Sequence, residues 1–512
     1  MWSTTTAPWP ASSRTRTTPP SPTGSATAPS SACRGPATPV RTSNAVPRKT
    51  EAPGTTEEPK AREIVNPTTE RVIATVPDTP PAEVDAAVRR AAEAQRRWAA
   101  LAPAERARQL RRFAVAVDEA RHDLARTEVE EAGHPVADAL GEAENVRDLL
   151  DYAAGGVERL TGRQIPVAGG VDITFAEPLG VVAVIAPWNF PMPVAAWGTA
   201  PALAAGNAVL LKPAEATPLT ALALEVLAQA AGLPDGLFQV LPGPGPVTGE
   251  ALVDHPGVAK VVFTGSTAVG RRIMARCAAQ VKPVTLELGG KSPNIVFADA
   301  DIEAAAAAAP ASFLDNAGQD CCARSRILVQ RPAYDRFLAL LEPAVRAVTV
   351  GDPADPATAM GPLISAAHRE RVRSYVPDDA PAAIRGAIPE GPGYWYPATV
   401  LEAHTAGERA AAEEIFGPVA VVMPFDDEED AVRLANATDY GLAASLWTRD
   451  IGRALRVSRA VAAGNLSVNS HASVRYSTPF GGFKRSGLGR ELGPDALAAF
   501  TETKNVFLAT DA

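Results

Sequence analysis

The chain has 512 residues, of which 49 are Lys or Arg and 58 are Asp or Glu, giving a formal net charge of −9. Phosphate binding needs clustered basic side chains, so this acidic balance does not favour a nucleic-acid or anionic-membrane surface. Hydrophobic residues make up 46% and charged residues 21%, which excludes a wholly disordered chain. At roughly 100–200 residues per domain, the length predicts about three domains.

Four cysteines occur, at Cys33, Cys277, Cys321 and Cys322. They are too few and too unevenly spaced for a disulfide framework or a CxxC metal site, so we expect a reducing, cytoplasmic location and no metal. No stretch approaches about 18 uninterrupted apolar residues, and the N-terminus lacks the apolar core of a secretory signal. The sequence therefore predicts a protein that binds neither membranes nor nucleic acids.

Residues 1–60 differ in composition from the rest of the chain. Of these 60 residues, 32 are Ser, Thr or Pro, and no acidic residue precedes Glu51. Such a segment buries too little apolar surface to offset its ordering entropy, which predicts a disordered tail. Its Arg-bearing, acid-poor start also resembles a transit peptide, but the amphipathic apolar face of such a peptide is missing. The alternative is an upstream extension without function.

From Ile64 onward the pattern is that of a globular α/β protein. Amphipathic helices are predicted between Pro81 and Val117, and Gly pairs with short β-prone runs predict a hairpin ribbon over 155–175. Fully apolar strands then alternate with helices, which is typical of a parallel sheet covered on both faces. The expected strands are Gly180–Pro187, Ala208–Lys212, Phe238–Leu241 and Val258–Thr264, and the expected helices are Pro193–Gly206 and Pro218–Gly232.

A second α/β region is predicted from about Lys291. Parallel sheets bind ligands at the carboxyl ends of their strands, so the residues that follow each strand are the first candidates for chemistry. The expected helices of this region are Ala304–Ala309, Tyr334–Thr349 and Glu429–Thr438, and the expected strands are Ile327–Gln330 and Val419–Pro424.

The first candidate site follows strand 180–187 directly. Asn189 lies between Trp188 and Phe190 and is bracketed by two prolines. A rigidly held amide donor is suited to a developing oxyanion. The alternative is ordinary turn chemistry, in which such an Asn hydrogen-bonds its own backbone.

The second candidate is the pair Lys212 and Glu215, at the end of the next strand. If a helix begins here, the carboxylate can accept hydrogen bonds from both hydroxyls of a ribose while the ammonium donates. The alternative is an acid favoured by the dipole of a helix N-terminus, beside a solvated lysine.

The third candidate is segment 263–270, which runs from a strand into a helix and contains Gly265, Ser266 and Gly270. Glycines there allow the backbone to approach a diphosphate, and the helix N-terminus supplies N–H groups. The spacing G-x-x-x-x-G is not the dinucleotide fingerprint, so plain turn glycines are the alternative. The same helix places Cys277 on its apolar face as a packed core thiol.

The fourth candidate combines Glu287, at a strand end, with the adjacent thiols Cys321 and Cys322 about thirty residues later. A thiol and a carboxylate provide the nucleophile and general base of covalent catalysis. The alternative is an inert buried thiol pair, because adjacent cysteines are poor joint zinc ligands. These residue types alone do not decide between the two thiols.

From about Ile64 to Leu508 the sequence resembles the NAD(P)-dependent aldehyde dehydrogenase superfamily. Seven short motifs occur in the family order, and each is weak by itself. They are PWNFP at 187–191, KPAE at 212–215, FTGSTAVG at 263–270, LELGGKSP at 286–293, GQDC at 318–321, EIFGPV at 414–419 and PFGGFKRSGLGRE at 479–491.

The resemblance implies a role for each matching residue. Cys321 corresponds to the nucleophile, with Cys322 lining the pocket beside it, and Glu287 corresponds to the general base. Asn189 and the backbone N–H of Cys321 correspond to the oxyanion hole. The cofactor contacts implied are Lys212 and Glu215 on the adenosine ribose, Ser266 and Trp188 on the diphosphate, and Glu414 and Phe416 on the nicotinamide ribose.

A carboxylate at Glu215 would repel a 2′-phosphate, so NAD is expected as the cofactor rather than NADP.

The resemblance also implies the substrate class. The GQDC motif occurs in aminoaldehyde dehydrogenases, and Asp320 would attract a cationic tail, which favours an ω-aminoaldehyde or a glutamylated aminoaldehyde. The aromatic residues Phe190, Trp197 and Phe480 line the expected tunnel. The alternative for Asp320 is that it caps a backbone N–H of its own loop.

Two segments depart from the family pattern. Val376–Gly393 is short and Pro-rich, which indicates a trimmed surface connection. Asp315 stands where a hydrophobic or aromatic residue is common, which changes local packing but not the nucleophile.

Other functions are weighed against this one. They are a general aldehyde dehydrogenase, a CoA-acylating relative, which typically lacks the hydrolytic Glu, a thiol esterase that needs no NAD, and a non-enzymatic scaffold of the crystallin kind.

The predicted architecture is a doubly wound NAD-binding domain (61–153 and 177–288), a second α/β catalytic domain (289–478), and an oligomerisation ribbon with a C-terminal strand (154–176 and 496–512). Since this ribbon extends a neighbour's sheet in the family, we expect a homodimer or homotetramer.

Overall fold

The computed structural model describes residues 60–376, 383–472 and 474–510. The predicted disordered tail lies outside these residues except for Lys60, and the shortened segment 376–393 lies partly outside them. The described chain opens with an antiparallel pair of strands, β1 (Ala61–Val65) and β2 (Val72–Pro77). Four helices follow: α1 (Pro81–Ala99), α2 (Pro103–Glu119), α3 (Arg121–Ala132) and α4 (Val136–Gly156).

The first large sheet has six strands and belongs to the nucleotide-binding type expected from the sequence. Its strands are β5 (Val181–Ile185), β6 (Ala208–Lys212), β7 (Phe238–Val240), β8 (Lys260–Thr264), β9 (Val284–Glu287) and β17 (Gly487–Leu488). The helices that connect them are α5 (Pro191–Ala204), α6 (Leu219–Ala230), α7 (Glu250–Asp254) and α8 (Thr267–Ala278). Every residue of β5 and β6 is buried, because helices cover both faces of the sheet.

The strand order of this sheet is β17-β9-β8-β5-β6-β7, and all neighbours are parallel except β17 and β9. The chain proceeds outward from β5 through β6 to β7 and then returns to the other side of β5 as β8. The direction of the strand order therefore reverses between β5 and β8. Open α/β sheets form their ligand crevice at such a reversal.

The second large sheet has seven strands in the order β12-β13-β14-β11-β10-β15-β16, with β12 alone antiparallel to its neighbour. Its strands are β10 (Pro293–Val296), β11 (Arg326–Gln330), β12 (Ile384–Arg385), β13 (Thr399–Glu402), β14 (Val419–Phe425), β15 (Ala443–Trp447) and β16 (Asn465–Val468). The accompanying helices are α9 (Ile302–Leu314), α10 (Tyr334–Arg346), α11 (Ala366–Arg373), α12 (Arg409–Ala412), α13 (Glu428–Asn436) and α14 (Ile451–Ala460). Apolar clusters on the two faces of this sheet form its core.

The predicted ribbon is a three-stranded antiparallel sheet in the order β18-β4-β3. Its strands are β3 (Gln164–Val167), β4 (Gly170–Pro178) and β18 (Thr501–Ala509), so the expected C-terminal strand is confirmed, and the hairpin expected over 155–175 forms over 164–178, because α4 continues to Gly156. The α/β fold class is confirmed as well. The domain boundaries stay a prediction, and they left unassigned the segment 479–495 that contributes β17 to the first sheet.

Among the helices of the described ranges, none has the length and the apolar run that crossing a bilayer requires.

Candidate active site

A single cleft of about 950 Å³ collects almost all of the residues singled out in the sequence. It lies beyond the carboxyl ends of the strands of the first sheet, and it is also lined by the loops that precede β11 and β14 of the second sheet and by the loop that follows β16. The predicted residues that line it are Trp188, Asn189, Phe190, Trp197, Lys212, Glu215, Gly265, Ser266, Glu287, Asp320, Cys321, Cys322, Glu414, Phe416 and Phe480.

Gly270 is the exception. It is buried in α8, and a Cβ added to it would lie 2.5 Å from Leu288 Cδ2. The prediction that Gly270 lets the backbone approach a diphosphate is therefore wrong. Its lack of a side chain instead allows α8 to pack closely against the segment that follows β9.

A strained loop over residues 315–322, here called the thiol loop, carries the two adjacent thiols into the cleft. After α9, Asn316, Ala317 and Gly318 take left-handed φ angles of 47°, 54° and 70°. Such angles are costly for residues with a side chain, so the surroundings must hold them in place. A Cβ on Gly318 would lie 2.1 Å from the carbonyl oxygen of Gly417, so only glycine fits there.

Hydrogen bonds with two other segments fix this loop. Asn316 Nδ2 donates to the carbonyl oxygen of Asn189 at 2.6 Å, and the backbone N–H of Ile364 donates to Gln319 Oε1 at 2.8 Å. Asn189 Nδ2 donates in turn to the carbonyl oxygen of Gln319 at 2.8 Å. The amide of Asn189 has two N–H groups, and the second is not used by any described contact. Asn189 thus braces the thiol loop and still has one donor for a ligand in the cleft.

The thiol of Cys321 is half-buried, whereas Cys322 is buried. The hydrogen bond with the Cys322 thiol raises the pKa of Cys321 well above its usual range, and burial, Asp320 and Glu414 raise it further. The resting group is therefore a protonated thiol. A thiolate is the reactive form of cysteine, so any nucleophilic attack by Cys321 requires a proton acceptor.

Asp320 caps a backbone N–H of its own loop, which was the alternative considered for it in the sequence. Its Oδ1 accepts a hydrogen bond from the backbone N–H of Cys322 at 2.9 Å. The side chain is nonetheless only half-buried and lines the cleft. Burial raises the pKa of Asp320, and the hydrogen bond to Cys322 opposes that rise.

Glu287 ends β9 in a closed environment. It is 2% exposed, and neither carboxyl oxygen has a well-aligned donor among the described residues. Burial and then the neighbouring Glu491 raise the pKa of Glu287 well above its usual range, while Arg490 lowers it. Burial also raises the pKa of Glu491, to about 8. The two carboxyls therefore hold at least one proton near neutral pH.

The pair Lys212 and Glu215 lies at the opposite end of the cleft, in the connection between β6 and α6. Because α6 begins at Leu219, close to the expected start at Pro218, Glu215 lies in the preceding loop, and neither the helix start considered for this pair nor the helix-dipole alternative applies. Lys212 Nζ lies 4.0 Å from Glu215 Oε1 and donates to the carbonyl oxygen of Pro213 at 2.8 Å. The same Oε1 accepts the backbone N–H of Gly245 at 2.6 Å. Half-exposed Glu215 remains open to a ligand.

The N-terminus of α8 faces the cleft between these two ends. Ser266 is its N-cap, and the hydroxyl oxygen accepts a hydrogen bond from the backbone N–H of Val269 at 3.4 Å. A Cβ on Gly265 would lie 2.6 Å from the ring of Phe263. The helix terminus presents its N–H groups to the space beside Ser266, as anion binding requires.

Glu414 and Phe416 approach the thiol loop from the second half of the chain. Glu414 Oε1 accepts the backbone N–H of Gly290 at 2.8 Å, and a Cβ on Gly289 would lie 2.3 Å from Glu414 Oε2. The rings of Phe416 and Trp188 meet edge to face with centroids 5.3 Å apart.

The whole fold resembles known proteins over most of its length. A sequence profile described as "Aldehyde dehydrogenase family" matches residues 55–506. Betaine aldehyde dehydrogenase of Brucella canis is 41% identical over 454 residues, which cover 87% of this chain and 93% of the relative. The chain belongs to the aldehyde dehydrogenase family. The resemblance recognised in the seven motifs is thereby confirmed.

Solved aldehyde dehydrogenases share the fold. The NAD+ complex of the Bacillus cereus enzyme has 40% identity and a TM-score of 0.86, covering 88% of this chain and 94% of that one. A point mutant of Staphylococcus aureus betaine aldehyde dehydrogenase, solved with NAD+ and a BME-modified cysteine, has 35% identity and a TM-score of 0.85, covering 88% and 95%.

Sequence reasoning missed several residues of this aldehyde dehydrogenase cleft. Asp138 and Glu142, four apart on α4, both line it, and so does Asp315, for which only a packing effect was expected. His368 contacts both Trp188 and Phe416. The helical spacing of Asp138 and Glu142 was the available signal, but nothing in the sequence shows that this face of α4 meets the cleft.

The pairing of Glu287 with Glu491 predicts a shift in the pH profile. Replacing Glu491 by Gln removes a carboxyl that raises the pKa of Glu287. If Glu287 is the general base, it works only when deprotonated, so the acid limb of kcat should move to lower pH, by about one unit for a strongly interacting pair. Steady-state NADH formation across the pH range measures this. Glu502→Gln, on exposed β18, is the control, and an acid limb that stays in place in Glu491→Gln would contradict the pairing.

Proposed function

We propose that this aldehyde dehydrogenase uses NAD to oxidise an aldehyde with a cationic tail to its carboxylic acid, with an ω-aminoaldehyde or a glutamylated aminoaldehyde as the favoured substrate. The observation that carries the proposal is the placement of three carboxyl groups, Asp138, Asp315 and Asp320, on the wall of the cleft that holds Cys321. They come from α4, from the end of α9 and from the thiol loop.

The chemistry assigns one task to each central residue. Cys321 loses its proton to solvent in the cleft and attacks the aldehyde carbon, so a C–S bond forms and the carbonyl electron pair moves to oxygen. The free N–H of Asn189 and the backbone N–H of Cys321 stabilise this oxyanion. NAD, when bound, accepts the hydride that leaves as the C=O bond re-forms, which gives a thioester. Glu287 then takes a proton from water, the water oxygen attacks the thioester carbon, and the Cys321 sulfur leaves.

Several features of the cleft support NAD as the cofactor. The N–H groups at the start of α8 suit a diphosphate, and the carboxylate of Glu215 suits the two hydroxyls of a ribose. A 2′-phosphate at that position would meet a negative charge, which favours NAD over NADP. The Bacillus cereus and Staphylococcus aureus relatives were both solved with NAD+.

A cationic substrate matches the charges around the thiol. Enclosure in the cleft, followed by the nearby Asp320 and Asp138, raises the pKa of Asp315 to about 7. A substrate ammonium beside these groups would stabilise their ionised forms. Trp197 and Phe480, edge to face with centroids 4.9 Å apart, add aromatic surface for a cation. The name of the Brucella canis relative refers to an aldehyde with a quaternary ammonium group, which supports the same substrate class.

The test compares 4-aminobutanal with butanal, which has the same chain length and no charge. We expect kcat/KM to favour the cationic aldehyde by at least about tenfold, equivalent to 1.4 kcal/mol, and Asp315→Asn to remove most of that preference without slowing butanal. The preference should also grow as pH rises through about 7, because Asp315 then becomes charged. Asp320 is a poorer target, since it caps its own loop.

The matched control is Glu144→Gln, which removes an exposed acid of α4 that does not line the cleft. An equal preference in wild type and Asp315→Asn would contradict the role of Asp315. Equal rates for the two aldehydes in wild type would indicate a general aldehyde dehydrogenase instead. If no aldehyde gives NADH, the proposal is wrong, and a non-enzymatic scaffold becomes the favoured function.

We also infer a cytoplasmic homodimer or homotetramer. The three-stranded ribbon exposes two sheet edges, β3 and β18, and large apolar side chains that include Ile165, Phe175 and Phe507. Exposed strand edges with apolar side chains are usually covered by another chain.

A further inference from the structure

A compact group of buried polar side chains lies behind the cleft wall. Glu128 is on α3, His134 is in the turn after it, and Glu142 is on α4. His134 Nδ1 lies 2.7 Å from Glu142 Oε1 and 3.7 Å from Glu128 Oε1, and one potential ligand atom from each residue lies within 4.8 Å of the others. We call these three residues the Glu–His–Glu cluster.

The cluster has an excess of acceptors. Glu128 is fully buried and, among the described residues, neither of its carboxyl oxygens accepts a hydrogen bond from an N–H or hydroxyl group; it hydrogen-bonds only another carboxyl, Glu142, with which it can share a proton. The next acid along α3, Glu131, is also buried but accepts the backbone N–H groups of Leu219 and Thr220 and the Thr220 hydroxyl. Buried carboxyls are normally paired or bound to a cation. Glu128 therefore lacks the partner that its neighbour has.

The turn that carries His134 is tightly fixed. Gly133 has a φ of 78°, and a Cβ on it would lie 2.9 Å from the ring of Pro67. The backbone N–H of Val136 donates to the carbonyl oxygen of Pro353 at 2.8 Å. The imidazole is thus held in place between two carboxyl groups before any ligand arrives, which lowers the cost of binding.

We propose that Glu128, His134 and Glu142 form a binding site for one divalent transition-metal ion of the zinc class. Imidazole nitrogen and carboxylate oxygen are both zinc ligands, with bonds of about 2.0–2.2 Å that place tetrahedral ligands roughly 3.3 Å apart. The separations of 2.7 and 3.7 Å bracket that value. Two carboxylates would neutralise the charge of the ion, and a water molecule would complete its coordination.

Two of the three residues connect the cluster with the cleft. Glu142 lines the cleft and is partly exposed, so an ion reaches the cluster from that side. The His134 ring packs against Phe190, with centroids 5.5 Å apart, and Phe190 follows Asn189 in the chain. A bound ion would therefore tie α3 and α4 together at the cleft wall without touching the reacting atoms.

The test measures metal binding by the full-length protein without any activity assay. After treatment with a chelator, the protein is titrated with Zn2+, washed, and analysed for bound metal, and Co2+ is used to record the absorption spectrum. Asp320, Cys321 and Cys322 also come close enough to hold a metal, so the same titration is made with Cys321→Ser/Cys322→Ser. We expect one ion per chain in both proteins and a cobalt spectrum without sulfur charge transfer in the double variant.

Glu128→Gln should weaken Zn2+ binding by at least about tenfold, whereas Asp138→Asn, on the same helix as Glu142 but outside the cluster, should bind as wild type does. Bound Zn2+ should raise the unfolding temperature of wild type but not of Glu128→Gln. If Glu128→Gln does not fold, Glu142→Gln takes its place, since that side chain borders the cleft. Loss of binding in the cysteine double variant, or unchanged binding in the Glu128 and Glu142 variants, would overturn the proposal.

Discussion

Replacing Cys321 by serine is expected to abolish aldehyde oxidation, lowering kcat/KM by at least about 10^4-fold, as is typical when the covalent nucleophile is removed. A serine hydroxyl is a far weaker nucleophile than a thiolate, because it is hardly ionised near neutral pH. Initial rates of NADH formation measure the effect. The unfolding temperature and NAD binding should stay close to those of wild type, because the half-buried side chain changes only in one atom.

The adjacent thiol provides the matched control. Cys322→Ser should keep substantial activity, and it should increase the rate at which iodoacetamide alkylates Cys321, because the Cys322 thiol raises the pKa of Cys321. A lower thiol pKa gives more thiolate at a given pH. An inactive Cys322→Ser enzyme beside an active Cys321→Ser enzyme would assign the nucleophile to the other sulfur.

Replacing Glu287 by glutamine should stop the reaction halfway. The amide keeps the shape of the buried side chain but cannot take a proton from water, so acylation proceeds and hydrolysis does not. We expect a burst of about one NADH per active site and then a steady state slower by about 10^2–10^4-fold. Rapid mixing with absorbance detection resolves the two phases.

A small added nucleophile such as hydroxylamine should restore turnover in Glu287→Gln, because it attacks the thioester without a base. If the variant shows no burst, Glu287 acts in a step before the thioester forms. An unchanged steady state would show that another group activates the water. In wild type, kcat should fall as pH decreases through the raised pKa of Glu287, because only the deprotonated form is a base.

Local pattern was sufficient for the buried strands. β5 is apolar throughout and β6 is apolar up to its last residue, Lys212, and both are flanked by prolines and glycines, so their position and burial follow from the sequence alone. The helix expected over 218–232 is α6 (Leu219–Ala230), so its start also follows from the local pattern. The contact of Glu215 with Gly245, in contrast, depends on the folded chain, and no local pattern predicts it.

Long-range partners were beyond the reach of the sequence. Gly270 was assigned to the cofactor because a glycine near a helix start suggests phosphate binding, but its closest neighbour is Leu288 from another segment. Asp138 and Asp315 are far apart in the chain and meet only in the folded cleft. The pKa of Glu287 likewise depends on Glu491, about two hundred residues later, which no local pattern connects to it.

Strand β17 lies near the end of the chain, so the ribosome makes it after all other strands of the first sheet. It forms the edge of the first sheet beside β9, and the glycines that enclose Glu287, Gly481 and Gly487, belong to the same final segment. A chain still on the ribosome can contain every other strand of this sheet and the thiol loop, yet lack the surroundings of Glu287, the general base that we propose. The Cys321 thiol can thus be present before the residues that the hydrolysis of a thioester would need.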